Sequence, residues 1–241
     1  MDSPQTSPNL DVQLVEFLRL DRYERQISDY ALGATKRVIV DFTELATYAQ
    51  DYARQLQASP DDFLQYLQHA IDGRVHIDVP QHEDKKTTPV GFRNFPETAP
   101  LRQLHEHVGR LVGIRGIITR GTLPSPLIIR GAFKCRKCNS ITFVEIDTNT
   151  TTIPEPEICG KCRSKLLDLQ GLESERVANQ YVTIQEIPDE MPSDKPPAIY
   201  NVRLLADLVD RLPIGAHVEM SVVPRLTIKH KRTGGLSALT S

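Results

Sequence analysis

In the first third of the chain, apolar residues recur every three or four positions, the spacing that places them on one face of a helix. Between residues 10 and 32 this pattern predicts one or two amphipathic helices, which Gly33 ends. A β-branched run then predicts a short buried strand over residues 37–41. Residues 42–56 return to the helical period. The pattern therefore predicts a small, mostly helical N-terminal unit.

A further helix start is marked by Ser59, a residue type that caps helices, and by Pro60, which suits the first helical position. Aspartates follow in the predicted first turn, and Gly73 predicts the end of this helix. The polar stretch at residues 76–94 has no clear period, and we expect it to connect two domains.

After residue 100 the pattern changes to short apolar runs rich in β-branched residues, which predict strands. Glycines at 113, 116 and 121 interrupt the first run and suggest bulges and sharp curvature, as in a small closed barrel. A short helix is predicted over residues 204–212, before Pro213. The predicted strands lie at residues 111–119, 127–129, 141–144, 181–184, 198–202 and 217–223.

Charge is distributed unevenly along the chain. The whole sequence has 29 basic and 31 acidic residues, a net charge of −2. Residues 1–100 carry 10 basic and 16 acidic residues, whereas residues 101–241 carry 19 basic and 15 acidic residues. A polyanion such as nucleic acid should therefore bind the second half.

The first residues lack the basic and apolar segments of a secretory signal, and no stretch approaches the ~20 apolar residues of a membrane span. We therefore expect an intracellular protein, located in the cytoplasm or nucleoid, or in the nucleus of a eukaryote. Because thiols stay reduced inside cells, clustered cysteines indicate a metal site before a disulfide.

The four cysteines form two close pairs in a CxxC–x20–CxxC pattern. This spacing predicts one tetrahedral Zn²⁺ held by four thiolates, a structural site with no position left open for water. Gly160 and Asn139 suit the tight turns of such knuckles, and nearby basic residues offset the thiolate charge. A redox-active pair is the alternative, although no βαβ pattern surrounds it. The predicted ligands are Cys135, Cys138, Cys159 and Cys162.

No pattern typical of a catalytic site is present in the sequence. The glycine-bearing stretch 113–121 lacks the Lys-Ser/Thr ending of a phosphate-binding loop, and neither GxSxG nor HExxH occurs. We therefore predict no catalytic residues within this chain. The strand-like pattern close to the last residue suggests a piece of a longer protein.

Taken together, several segments resemble the N-terminal region of a minichromosome maintenance (MCM) replicative DNA helicase, of the archaeal type. The resemblance covers nearly the whole chain and is weakest in the helical part, where IVDFTEL is the suggestive phrase. Its strongest segments are HVGRLVGIRGIITR at 107–120, the cysteine pairs, ANQYVTIQEIPDEMPSDKPPAIYNVRL at 178–204, and LADLVDRLPIGAHVEM at 205–220.

The resemblance implies an α+β fold, with an N-terminal helical bundle, an OB-fold β-barrel and an inserted zinc-ribbon-like lobe. It also implies that Gln185 and Glu186 lead into a loop that contacts the neighbouring subunit. The expected division is a helical subdomain at 1–93, the first part of the OB fold at 94–130, the zinc lobe at 131–167, and the second part of the OB fold with a basic hairpin at 168–241.

The function implied by the resemblance is DNA binding and hexamer assembly within an ATP-dependent DNA helicase, with zinc lobes meeting in a double hexamer. The ATPase motor, with its ATP and Mg²⁺, would lie C-terminal to residue 241. Expected partners are single-stranded DNA, duplex DNA, further copies of the chain, and replication-initiation and fork proteins.

An OB fold offers a groove suited to an extended single strand. Because the chain has no Trp and only 7 Tyr and 7 Phe, backbone charge must dominate, which predicts little sequence preference and a strong salt dependence. Surface ion pairs, or a solvated basic chain end, are the alternative interpretation of the same residues. The candidate DNA contacts are Arg115, Arg120, Arg225, Lys229, Lys231 and Arg232.

Two other functions stay open at this point. The first is a stand-alone zinc-ribbon/OB-fold protein that binds single-stranded nucleic acid or acts in transcription without helicase activity. The second is a CxxC oxidoreductase, which would require a reducible disulfide. One zinc per chain, with no thiol free to titrate, would exclude the second.

Overall fold

The computed structural model describes residues 8–78, 88–96, 98–146, 153–165, 167–192 and 194–226. The chain divides into two compact units. The first unit contains the described residues up to Thr119, together with 183–201 and those from Gly215 onwards; the second contains 120–182 and 202–214. Among the described helices, none is long and apolar enough to span a membrane.

Five helices and a two-stranded parallel sheet form the N-terminal part of the first unit. The expected division of residues 10–32 into helices is confirmed, and Gly33 follows them with a left-handed φ of 76°. The predicted strand is also confirmed, with three of its four residues buried. The elements are α1 (Pro8–Leu18), α2 (Asp21–Ala31), β1 (Val38–Asp41), α3 (Phe42–Tyr48), α4 (Gln50–Ala58), α5 (Pro60–Asp78) and β2 (Val90–Arg93).

One continuous core joins these elements. Apolar side chains from every helix meet the inner residues of β1, so that each amphipathic face predicted from the sequence is covered by a neighbour. Its largest fully buried members are Phe17, Leu18, Tyr23, Ile27, Leu45, Tyr52, Leu56, Leu67 and Ile71.

Asp41 fixes the junction between β1 and α3. Its carboxylate caps α3 by accepting from the Glu44 N–H at 3.3 Å, and it accepts from Asn94 Nδ2 at 2.6 Å. Although burial opposes the charged form, the hydrogen bonds from Asn94 and the Glu44 N–H, with Arg22 nearby, hold the pKa of Asp41 below its usual value. The charged carboxylate therefore stabilises both the strand end and the helix start.

The helical period predicted for residues 42–56 is confirmed, and it is divided into α3 and α4 at Ala49, which has a ψ of 63°. Two other expectations for this region were wrong. Gly73 does not end α5, because the buried residues Ile71 and Val75 on either side hold it within the helix. The expected connection contains β2, which pairs with β1 and places Val90 opposite Val38.

The rest of the described chain is dominated by antiparallel strands. In strand order the sheet runs β5-β4-β6-β3-β8, and β7 also pairs with β6. The predicted strand segments are confirmed, although β6 begins much earlier than expected. The strands are β3 (Val112–Gly121), β4 (Ser125–Cys135), β5 (Ile141–Glu145), β6 (Leu167–Gln185), β7 (Ile199–Leu205) and β8 (His217–Val222).

The mixture of helix and sheet confirms the expected fold class, but the expectation of a closed barrel was wrong. Within the described residues, β5 and β8 end the strand order and no pairing joins them. Gly116 marks close strand packing, since a Cβ there would lie 2.5 Å from the Gln185 carbonyl oxygen of β6. In the β4–β6 pairing the register shifts on either side of Arg130, whereas the β3–β8 pairing runs without a shift from Val112 to Ile117.

The helix predicted at 204–212 is only a three-residue 3₁₀ turn, Ala206–Leu208. Ala206 and Asp210 have left-handed φ values of 55° and 59°, which interrupt a helix. The buried Gln180 side chain holds this segment: its Nε2 donates to Thr122 O at 2.9 Å and to Asp210 Oδ1 at 3.0 Å, and its Oε1 accepts from the Asp210 N–H at 2.8 Å.

Candidate functional site

The two cysteine pairs fold into knuckles with matching backbone hydrogen bonds. In the first knuckle the Cys135 N–H donates to Ser140 O at 2.9 Å, and the Asn139 N–H donates to Cys135 O at 2.9 Å. The second knuckle has the same two bonds: the Cys159 N–H donates to Ser164 O at 2.8 Å, and the Arg163 N–H donates to Cys159 O at 2.8 Å. Each knuckle therefore presents its two sulfurs on one side of a tight turn.

The four sulfurs lie within 4.8 Å of one another. The Cys135–Cys162 Sγ distance is 3.5 Å and the Cys138–Cys159 Sγ distance is 3.7 Å. A tetrahedral Zn²⁺ with Zn–S bonds of about 2.3 Å requires sulfurs about 3.8 Å apart. The donor set therefore fits a structural Zn²⁺ held by all four cysteines, and the short distances between the pairs disfavour a self-contained redox pair.

Hydrogen bonding to the sulfurs favours thiolates in part of the cluster. Ser140 Oγ lies 3.0 Å from Cys138 Sγ and 3.2 Å from Cys159 Sγ. With backbone N–H groups from the second knuckle, it lowers the pKa of Cys159 to about 6. At Cys162, the hydrogen bond from the Ser164 N–H lowers the pKa, but burial and the neighbouring thiols outweigh it and raise the pKa of Cys162 to about 12. Four adjacent thiolates thus need a cation to offset their mutual repulsion.

One of the basic residues expected to offset this charge has another partner. Arg136 binds Asp168 through two guanidinium nitrogens, with Nη2 2.7 Å from Oδ1 and Nε also bonded to Oδ2. The hydrogen bond from Arg136 holds the pKa of Asp168 below its usual value. Lys134 is half-buried on β4. The remaining basic side chains near the sulfurs are exposed: Lys137, Lys161, Arg163 and Lys165.

The left-handed residues of the knuckles are Asn139 and Arg163, each with a φ of 56°. Asn139 was expected in this role, whereas Gly160 was expected for the second knuckle and has no positive φ. The left-handed residue is identified by its position in the knuckle, because Arg163 directly follows Cys162 as Asn139 directly follows Cys138. A non-glycine residue other than Asn or Asp is strained there.

We expect Arg163→Asn to stabilise the protein by about 0.5–1 kcal/mol, because Asn adopts the left-handed conformation more readily than Arg. Urea unfolding of the zinc-loaded chain measures the change. Arg163→Ala is the matched control, since it removes the same charge without relieving the strain. Equal stabilisation by both variants would show that charge, and not backbone conformation, is responsible.

The structure describes three of the six candidate DNA contacts. Arg115 and Arg120 are exposed on β3, and Arg115 lies opposite Glu219 of β8 in register. Arg225 binds Asp61 with both terminal guanidinium nitrogens, with Nη1 2.6 Å from Oδ2. The predicted contacts Lys229, Lys231 and Arg232 lie outside the described residues.

Glu186 is buried, with 7% of its surface exposed. Arg102 Nε donates to its Oε1 at 3.0 Å, and Arg102 Nη2 lies 2.9 Å from Oε2. The Glu186 N–H donates to Ala198 O at 3.0 Å, and the Ala198 N–H donates to Glu186 Oε2 at 3.2 Å. Arg102 Nη2 also donates to Pro196 O at 2.7 Å.

These bonds join the two ends of the segment between β6, which ends at Gln185, and β7, which begins at Ile199. We call this junction of Glu186, Ala198 and Arg102 the neck of the segment. The role of Arg102 could not be predicted from the sequence, because no local pattern connects two residues 84 positions apart.

Comparison with known proteins supports a single family along the chain. A model of the MCM N-terminal domain matches residues 13–94, and a model of the MCM OB domain matches residues 100–227, more than half of the chain. The second match includes all four cysteines.

Individual relatives are similar at modest identity. The DNA replication licensing factor MCM4 of Drosophila melanogaster is 31% identical over 198 residues, which cover 80% of this chain and 22% of that protein. Mcm6 of Schizosaccharomyces pombe is 27% identical over 215 residues, covering 80% and 24%, and MCM6 of Arabidopsis thaliana is 27% identical over 223 residues, covering 86% and 26%. The chain thus spans about a quarter of the length of these relatives. All three are eukaryotic, so they do not support the archaeal part of the expectation.

Proposed function

The chain belongs to the MCM family, and from this premise we propose that it is the DNA-binding and ring-assembly part of an ATP-dependent replicative DNA helicase. The observation that carries the proposal is the match of the OB-domain model across residues 100–227, a segment in which four cysteines converge with zinc-site geometry. Relatives of the chain are named DNA replication licensing factors, which supports a role in replication.

In this proposal, the chain holds single-stranded DNA largely through the phosphate backbone. The excess of basic residues in the second half of the chain supports electrostatic binding. The six candidate arginines and lysines would neutralise phosphates without reading bases, which gives little sequence preference. The four-part division predicted from sequence is part of the same proposal, with the zinc lobe at 131–167.

The remaining functions would depend on chain beyond residue 241 and on further copies. We propose that the ATPase motor with ATP and Mg²⁺ follows this segment, that the chains assemble into a hexamer or double hexamer, and that replication-initiation and fork proteins bind the ring. The segment after Gln185 would contact the neighbouring subunit. Zn²⁺ held by the cysteines would stabilise the fold of the zinc lobe and would have no catalytic role.

Replacing Lys229, Lys231 and Arg232 together with alanine should weaken binding of single-stranded DNA about equally across sequences. The expected cause is the loss of three phosphate contacts, each of which contributes about −0.7 to the slope of log K against log salt. The slope should therefore become shallower by about 2. Fluorescence anisotropy with oligonucleotides of several sequences, measured over a range of salt concentrations, checks this.

The matched control replaces three exposed basic residues of the helical part, Arg19, Lys36 and Arg54, with alanine. This variant loses the same charge and should keep nearly the wild-type slope. A wild-type chain that binds without any salt dependence would contradict the proposal, and so would a triple variant whose sequence preference changes while its slope stays the same.

A further inference from the structure

Among the candidate DNA contacts, Arg225 forms an ion pair with Asp61, a carboxylate of the helical bundle. Asp61 lies in the first turn of α5, and both of its carboxylate oxygens accept from Arg225. The Arg225 side chain is 30% exposed and that of Asp61 is 60% exposed. The pair is therefore formed at the surface, where solvent and ligands have access to it.

The chain on either side of the pair is held in place. The Gly109 N–H donates to Pro224 O at 2.9 Å, and Val223 packs against the core formed by the helices. On the opposite side, the Leu111 N–H donates to Gln57 O at 2.9 Å, just before α5 begins. Arg225 and Asp61 are thus presented to each other by fixed backbone, so the pair does not depend on the chance meeting of two long side chains.

Resting on the function proposed above, we propose that Asp61 masks Arg225 and competes with a DNA phosphate for it. A carboxylate and a phosphate offer the same pair of oxygens to the arginine fork. While Asp61 occupies the terminal nitrogens, Arg225 is already neutralised and adds little to the attraction of a polyanion. Because an exposed pair of this kind is weak, a phosphate with several neighbouring contacts displaces Asp61 readily.

Because Asp61 must be displaced first, a ligand binds Arg225 well only when it makes several contacts at once. A single phosphate that displaces Asp61 gains little binding free energy, because Arg225 only exchanges one anion for another. A continuous strand gains more, because it contacts the other basic residues at the same time. Asp61 would therefore favour extended DNA over isolated phosphates, and it would lower the affinity of the chain for both.

The test measures binding of a fluorescent oligothymidylate to the 241-residue chain and to Asp61→Asn. Since the amide keeps the shape and loses the charge, the variant should bind up to about five-fold more tightly, the range expected for removing one weak surface pair. In an Arg225→Gln background, the Asp61→Asn change should have no effect. Asp62→Asn is the matched control, because the next residue is also exposed in the first turn of α5 and carries the same charge.

Each outcome separates the inference from the proposed function. Tighter binding by Asp61→Asn alone, abolished by Arg225→Gln, supports masking. Weaker or unchanged binding by Asp61→Asn overturns it, as would be expected if the pair only held Arg225 in position for DNA. Equal tightening by Asp62→Asn also overturns it and indicates general electrostatics. If the wild-type chain and every variant fail to bind, the proposed function itself is wrong.

Discussion

Replacing Cys159 with serine should remove the metal and destabilise the protein by at least ~3 kcal/mol. Cys159 is fully buried in the cluster, so that a serine leaves three ligands and an uncharged hydroxyl inside a site shaped for four thiolates. Structural Zn²⁺ contributes about 10–16 kcal/mol in zinc-finger peptides, so losing most of its affinity leaves the knuckles without their main stabilisation. Metal analysis of the purified chain and thermal unfolding of the same sample measure the two effects.

Ser140→Ala is the appropriate control for this prediction. The Ser140 hydroxyl approaches two sulfurs, yet it belongs to none of the four ligand positions. The control variant should still bind one zinc per chain and should lose only the contribution of a hydrogen bond to a charged group, about 1.5–3 kcal/mol. A Cys159→Ser variant that retained both its zinc and its unfolding temperature would refute the assignment of the metal centre.

The clustering of the four cysteines could be predicted from the sequence because its signal is local. Two residues separate the cysteines of each pair, and a tight turn is sufficient to place both sulfurs on one side. Only the meeting of the two knuckles is non-local, and the preference of Zn²⁺ for four ligands supplies that information. The left-handed position was harder to identify, because Gly160 has the composition typical of a turn while Arg163 has the required conformation.

Non-local pairing explains the main errors in the fold. The glycines of β3 suggested curvature, but whether a sheet closes depends on which strands meet at its ends, and no local pattern specifies this. Gly73 shows the same limit within a helix. Its local preference for a helix end is outweighed by the burial of Ile71 and Val75, which requires α5 to continue.

The contacts of Glu186 at the neck of the segment after β6 could not be predicted from the sequence. The resemblance pointed to Gln185 and Glu186 as the start of a loop that contacts another subunit. In the structure the Glu186 carboxylate is bound within its own chain, by Arg102 and the Ala198 N–H. This geometry indicates that Glu186 holds the segment in position, while a contact by neighbouring residues of the segment stays a prediction.

Replacing Arg102 with alanine should destabilise the protein by about 3–5 kcal/mol, because it leaves the buried Glu186 carboxylate without its charged partner. Arg102→Lys should have a smaller effect, since it keeps the charge but cannot reach both Glu186 oxygens and Pro196 O together. Urea unfolding measures the stabilities. Hydrogen exchange at the Ala198 N–H reports on the neck directly, and it should accelerate in both variants.

A double variant distinguishes the destabilisation caused by an unpaired buried charge from the stabilisation that the ion pair itself provides. Arg102→Met combined with Glu186→Met removes both charges and fills the same space, so most of the lost stability should return. Arg110→Ala is the surface control, and because Arg110 is exposed it should change stability by less than about 0.5 kcal/mol. Should Arg102→Ala behave like this control, Glu186 does not depend on Arg102, and the neck is held by its backbone hydrogen bonds alone.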